Sequence, residues 1–215
     1  MHNGLIIQQP EAPLSRPAEL VLLFHGVGSS AEDLRPLGEL LARAFRHAWI
    51  VSVRSPQASE LGGWQWFSVQ GMTEANRPAR VAEAMPQFAQ SVAHWQRTSG
   101  VDAAATTLIG FSQGAIMALE ATQQTEFLSM RVIAIAGRFA QAPRVAPPRT
   151  ELNLLHGDDD RVMPVALATD AATRLAALGA RAALDRFAGL GHSIDGRVAQ
   201  RIVGLLSQRA RPETA

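Results

Sequence analysis

The chain has 215 residues, 47% of them hydrophobic and 18% charged, with a formal net charge of +1. No apolar run approaches the ~18 residues that cross a bilayer, which sets aside stable membrane insertion, and the basic residues are too scattered to make an electrostatic footprint for nucleic acid. The chain has no Cys, Lys or Tyr, so all 20 basic residues are Arg, and disulfides, thiolate metal sites, cysteine nucleophiles, lysine Schiff bases and phosphate-loop lysines are excluded.

The chain opens on MHNGLIIQQPEAPLSRPAEL, which has no basic start, long apolar stretch or small-residue cleavage site. A secretory signal has no support there, and a cytoplasmic location is expected. Within it, LIIQQP (5–10) predicts an edge strand. Apolar runs then predict strands at ELVLLFHG (19–26), AWIVSV (48–53), TTLIGF (106–111), RVIAIAG (131–137), ELNLLHG (151–157) and AALDRFAG (182–189). Between them, helical spacing predicts helices at 31–45, 78–98, 114–124, 164–179 and 193–208. QAPRVAPPRT (141–150) is a proline-rich loop and RPETA a frayed tail. Near-continuous apolar strands alternating with amphipathic helices predict a three-layer α/β fold, a mainly parallel sheet covered on both faces. No repeat, low-complexity tract or dividing linker breaks the pattern, so a single domain over 1–215 with its core at 18–208 is expected.

Where the strand at 106–111 gives way to the following helix, the chain reads GFSQG, with Gly110 and Gly114 two positions either side of Ser112. In an α/β hydrolase this GxSxG pattern sits on a sharp strand-to-helix turn that lifts the serine hydroxyl above the sheet. Side chains at the two flanking positions would collide in so tight a turn, and glycine has none. A bare GxSxG also arises by chance in a chain with 17 Gly; the strand before and the helix after single this one out.

A serine hydroxyl needs a base within hydrogen-bond reach and a carboxylate to orient that base, and the chain order expected in this fold is Ser, then Asp or Glu, then His. Downstream of Ser112 stand only His156, closing a strand, and His192, in the Gly-rich loop GLGHSIDG. The loop position suits a mobile base. For the carboxylate, HGDDD at a strand's C-terminal end offers Asp158, Asp159 and Asp160, and spacing alone does not choose among them. At least one is expected to cap the following helix, and the cluster lacks the spaced oxygens of a calcium loop. The oxyanion of the transition state requires preorganised N–H donors: one is predicted at Gln113, after the nucleophile, and another from the loop FHGVGSS (24–30), which lacks the spacing of a phosphate loop.

Taken together, LLFHGVGSS, WQWFSVQG, LIGFSQGAIMALE, LLHGDDDRVMP and GLGHSID resemble the phospholipase/carboxylesterase family, which includes the acyl-protein thioesterases, and within it the small bacterial esterases. The likeness spans about residues 18 to 208. It implies a compact α/β hydrolase without a large lid, cutting carboxylic esters or thioesters with a Ser, Asp, His triad and no cofactor. By position it makes Ser112 the nucleophile, Asp160 the carboxylate and His192 the base, with the N–H groups of Val27 and Gln113 as oxyanion donors. The family commonly has proline after that aspartate, where this chain has Arg161. Dienelactone hydrolases share the fold but use the cysteine this chain lacks.

GGWQWFSVQG (62–71) matches the family's segment beside the active site, which sets Trp66 and Phe67 as candidate pocket walls against the alternative of core aromatics. Met163 has the same two readings. The expected reaction is ester hydrolysis through an acyl-enzyme, with a small-molecule ester or acyl thioester as partner. The rivals are a thioesterase or lysophospholipase for longer acyl chains, and a noncatalytic binding protein on the same fold. A homodimer is expected by analogy alone.

Overall fold

The computed structural model describes residues 4–11 and 18–208, so the tail at 211–215 lies outside the described residues. In chain order the strands are β1 (Gly4–Gln8), β2 (Glu19–Phe24), β3 (Ala48–Val53), β4 (Gln57–Ala58), β5 (Trp64–Gln65), β6 (Thr106–Phe111), β7 (Arg131–Ile135), β8 (Glu151–Gly157) and β9 (Ala182–Phe187). The helices are α1 (Arg35–Ala44), α2 (Arg77–Ser99), α3 (Gln113–Ala121), α4 (Ala166–Ala177) and α5 (Gly196–Ser207). Seven strands form one sheet in the order β1-β3-β2-β6-β7-β8-β9, while β4 and β5 make a separate two-stranded hairpin. Only β1, at the edge, runs antiparallel to its neighbour; every other pair in the large sheet is parallel.

The period of two along β2 shows how the layers form. Leu20, Leu22 and Phe24 enter one apolar cluster, whereas Val21 and Leu23 enter the other, on the opposite face of the sheet. The first cluster takes Phe88 and Trp95 of α2, Met117 of α3 and Leu175 of α4. The second takes Leu37 and Leu41 of α1 with Ile202 and Leu205 of α5. A strand buried on both faces has no polar alternation, which is why these runs are so continuously apolar.

The expected strands and helices are all present, with their ends moved. The helix expected at 31–45 is a short 3₁₀ turn, Ala31–Leu34, followed by α1. The strand expected at 131–137 stops at Ile135, because Ala136 adopts a positive φ of 48° that no strand continues through. The hairpin of β4 and β5 had no signal in the sequence pattern; strands of two residues are too short to show a period.

Candidate active site

Ser112 links β6 to α3 with φ 52° and ψ −114°, a conformation that costs a non-glycine residue on the order of 1–3 kcal/mol. The turn is held by Ser112 N–H donating to the Ile135 carbonyl (3.0 Å) and Ile116 N–H donating to the Ser112 carbonyl (3.1 Å). A Cβ at Gly110 would sit 2.4 Å from the Gly114 carbonyl oxygen, and one at Gly114 would sit 2.2 Å from that of Phe24. Both glycines are therefore places where backbone lies against backbone.

Ser112 Oγ lies 2.9 Å from His192 Nε2, and His192 Nδ1 lies 2.8 Å from Asp160 Oδ2. The structure thus brings together the three residues singled out in the sequence, from the ends of β6, β8 and β9. Asp160 is 5% exposed. Its Oδ1 accepts the N–H groups of Val162 (2.9 Å) and Met163 (2.8 Å), so the carboxylate holds its own turn and cannot swing away from His192. Its neighbours have other fates: Asp158 pairs with Arg186 at 2.7 Å on the surface, and Asp159 is exposed. His156 is buried below the turn, where its Nε2–H donates to the Met163 carbonyl at 2.7 Å and lies 3.4 Å from Asp160 Oδ2.

The His192 loop is more firmly seated than a mobile base suggests. Leu190 is buried in the second apolar cluster, its carbonyl accepts Asp159 N–H at 2.9 Å, and a Cβ at Gly157 would come within 2.2 Å of that carbonyl. The imidazole leans on Phe111, ring centroids 5.0 Å apart.

The loop after β2 is pinned by a buried histidine. His25 Nε2 accepts Ser55 N–H at 3.1 Å, so it carries no proton, and Nδ1–H donates to the Gly26 carbonyl at 2.7 Å. Burial holds its pKa below the usual histidine value, against opposing pulls from the Gly26 carbonyl and Asp33. The carbonyl it holds belongs to the same rigid peptide as Val27 N–H, so the imidazole also sets where that N–H points. Among the described residues neither Val27 N–H nor Gln113 N–H, the latter in the first turn of α3, donates to a protein acceptor.

The Gln113 side chain does something the sequence did not disclose. Its Oε1 accepts Trp66 N–H at 2.7 Å and its Nε2 donates to the Phe67 carbonyl at 2.8 Å, so the residue after the serine clamps the segment beside it. That segment reaches the loop after β2 through Gly28 N–H to the Trp64 carbonyl (3.0 Å) and Trp64 N–H to the Ser29 carbonyl (2.8 Å). The GxSxG pattern leaves the residue after the serine open, and the partners of its side chain lie 46 and 47 positions away, so no local pattern marks the clamp.

A cavity of about 520 Å³ opens beside Ser112, walled by Val27, Phe67, Ile116, Val162, Met163 and Leu167 among others. Phe67 and Met163 are thus pocket residues. Trp66 is not: it is 1% exposed and packs in the core against Phe24 and, edge-on, against Phe88, with centroids at 6.0 and 5.0 Å. Among the described residues, no group of three His, Cys, Asp or Glu side chains is arranged to hold a metal ion.

A mainly parallel sheet between two helical layers, with a serine on a strained turn at the end of a central strand, defines an α/β hydrolase. Residues 4–208 match the model of the Phospholipase/Carboxylesterase family, and the chain belongs to that family. It is 44% identical over 200 residues, 93% of this chain and 85% of the relative, to Esterase YpfH of Escherichia coli. It is 27% identical to Acyl-protein thioesterase 1 of Kluyveromyces lactis, over 74% of this chain and 78% of that one. The crystal structure of esterase PE8 superposes with a TM-score of 0.82 at 28% identity, covering 97% of this chain and 98% of its own.

Proposed function

We propose that this chain hydrolyses carboxylic esters by a two-step acyl transfer at Ser112. His192 Nε2 takes the hydroxyl proton as Oγ attacks the ester carbonyl, and returns it to the leaving alkoxide. Asp160 keeps the imidazole in the tautomer with its proton on Nδ1 and stabilises the cation that forms. The N–H groups of Val27 and Gln113 receive the oxyanion. Water, activated by the same imidazole, then releases the acid from the acyl-serine. The reaction needs no cofactor.

One observation carries this reading: the unbroken line from Ser112 through His192 to a buried, doubly anchored Asp160, with links of 2.9 and 2.8 Å. Membership of the family and the likeness to two esterases support ester substrates. A fluorophosphonate probe should label one site on the purified protein, and Ser112→Ala should abolish labelling and lower p-nitrophenyl ester turnover at least ~10⁴-fold. Undiminished turnover in that variant refutes the assignment.

The relative named as a thioesterase favours a second reading, acyl thioesters of longer chains, for which the apolar cavity beside Ser112 has suitable walls. Turnover across acyl length, esters against thioesters, decides between the two. A cytoplasmic location and a homodimer complete the proposal. Fractionation and light scattering test them.

A further inference from the structure

Apart from Ser112 and Gln113, the wall of the Ser112 cavity is apolar except for three charged side chains, Glu74, Arg77 and Arg138. The two arginine side chains are largely buried, 11% and 16% exposed, whereas that of Glu74 is 70% exposed. Glu74 serves both: its Oε2 lies 2.6 Å from Arg77 Nη1 and 2.9 Å from Arg138 Nη2, and its Oε1 accepts from Arg138 Nη1 at 3.1 Å. Two inward cations therefore share one carboxylate that stands on the solvent side. Arg138 uses three of its five N–H donors, two on Glu74 and Nε on the Phe139 carbonyl at 3.1 Å.

This arrangement is costly as mere scaffolding. A partly buried cation is stabilised when its countercharge is complete, and here about one positive charge is left over beside an apolar cavity. A guanidinium presents paired N–H groups that match a carboxylate, and it keeps its charge at any physiological pH. The excess faces the space a substrate of the serine must occupy. An anionic group on that substrate would supply what Glu74 alone does not.

Resting on the ester-hydrolase reading above, the geometry points to a substrate class: esters that carry a second, ionised carboxylate, received by Arg138 and Arg77 while the scissile carbonyl sits at Ser112. Both cations lie in the same cavity as the serine, so the two functions belong to one small molecule. Selection is by charge as well as by chain length, and it weakens as salt screens the contact.

The test compares kcat/KM, by pH-stat, for monomethyl esters of dicarboxylic acids from succinate to suberate against neutral methyl esters of matching length. The acetate ester of γ-hydroxybutyrate against butyl acetate covers an anion on the alcohol half. At least one charged series should exceed its neutral partner by about tenfold, chiefly through KM, with the advantage shrinking in high salt. Arg138→Gln should collapse that ratio, and Glu74→Gln, which frees both cations, should raise it severalfold. A purely structural role for the cluster would lower stability in both variants and move the ratio in neither. If both charged series are hydrolysed no better than the neutral ones, the inference is overturned, and continued loss of all turnover in Ser112→Ala would leave the ester-hydrolase reading standing. Turnover surviving in Ser112→Ala would bring down that reading instead.

Discussion

The turns that leave β6 and β8 both emerge at the C-terminal edge of the sheet, and they solve opposite problems. After β6 the backbone itself is forced, with Ser112 at positive φ and glycines pressed against neighbouring carbonyls, and the serine lines the cavity. After β8 the backbone is relaxed and a side chain does the holding, with Asp160 tying Val162 and Met163 to one oxygen and His192 to the other. A nucleophile must face the substrate cavity and a carboxylate must be fixed, so strain suits the first and hydrogen bonding the second. It follows that the β6 turn should be intolerant of volume and the β8 turn intolerant of altered hydrogen bonding.

The sharpest break is at the second turn. Asp160→Asn keeps size and leaves an oxygen for Val162 and Met163, but presents an amide N–H₂ to His192 Nδ1. The imidazole then settles in the tautomer that cannot accept the Ser112 proton. Turnover should fall about 10⁴-fold with little change in thermal unfolding. A loss under tenfold would mean that Asp160 does not orient the base.

The first turn should fail by the other route. Gly114→Ala places a methyl 2.2 Å from the Phe24 carbonyl oxygen, and backbone has no rotamer with which to retreat. We expect about 3 kcal/mol of destabilisation, a drop of roughly 6–12 °C in Tm for a chain of this size, together with loss of activity. An unchanged Tm would show that the turn is looser than its contacts imply.

This contrast explains what the sequence made legible. Strain leaves a mark in composition, because only glycine tolerates a 2.2–2.4 Å approach, so Gly110 and Gly114 announced the first turn. Hydrogen bonding leaves none: Asp158, Asp159 and Asp160 are identical in chemistry, and only the resemblance to a family favoured the third. The alternation of strand and helix was equally plain, since two-sided burial makes strands continuously apolar. Trp66 misled because an aromatic beside an active-site segment and one in the core look alike in sequence. Its neighbour Phe67 reaches the cavity while Trp66 packs against Phe24 and Phe88. The Gln113 clamp and the His25 strut join residues 47 and 30 positions apart, beyond any local pattern.

That strut offers a subtler test of the forced turn, because the loop after β2 completes the site from the other side. His25→Ala frees the peptide carrying Val27 N–H, and kcat should fall about tenfold at unchanged KM, less than the ~10²-fold or more lost with an oxyanion donor itself. His25→Asn, which can still donate to the Gly26 carbonyl, should recover part of it. Because burial lowers the folded-state pKa of His25, its unfolded form takes up the proton first as pH falls. The stability it contributes is complete above the unfolded value of about 6.5 and declines as pH drops from there toward the folded value. Wild type should therefore lose Tm below about pH 6.5 more steeply than His25→Asn.

The smallest expected effects fall on the two aspartates beside the critical one, and they sharpen the comparison most finely. Asp158 pairs with Arg186 at 2.7 Å, but the side chains are 29% and 53% exposed, so solvent screens the pair and it is worth at most about 1 kcal/mol. Asp159 is exposed. Asp158→Asn and Asp159→Asn should each leave kcat/KM within about twofold of wild type, although each removes the same charge from the same turn as Asp160→Asn. The charges of Asp158 and Asp159 stand in solvent and are screened, whereas that of Asp160 is buried and lies 2.8 Å from His192 Nδ1. A graded decline across the three would identify electrostatic field as the contribution of this turn. A collapse confined to Asp160→Asn places the contribution in the one carboxylate that touches Nδ1.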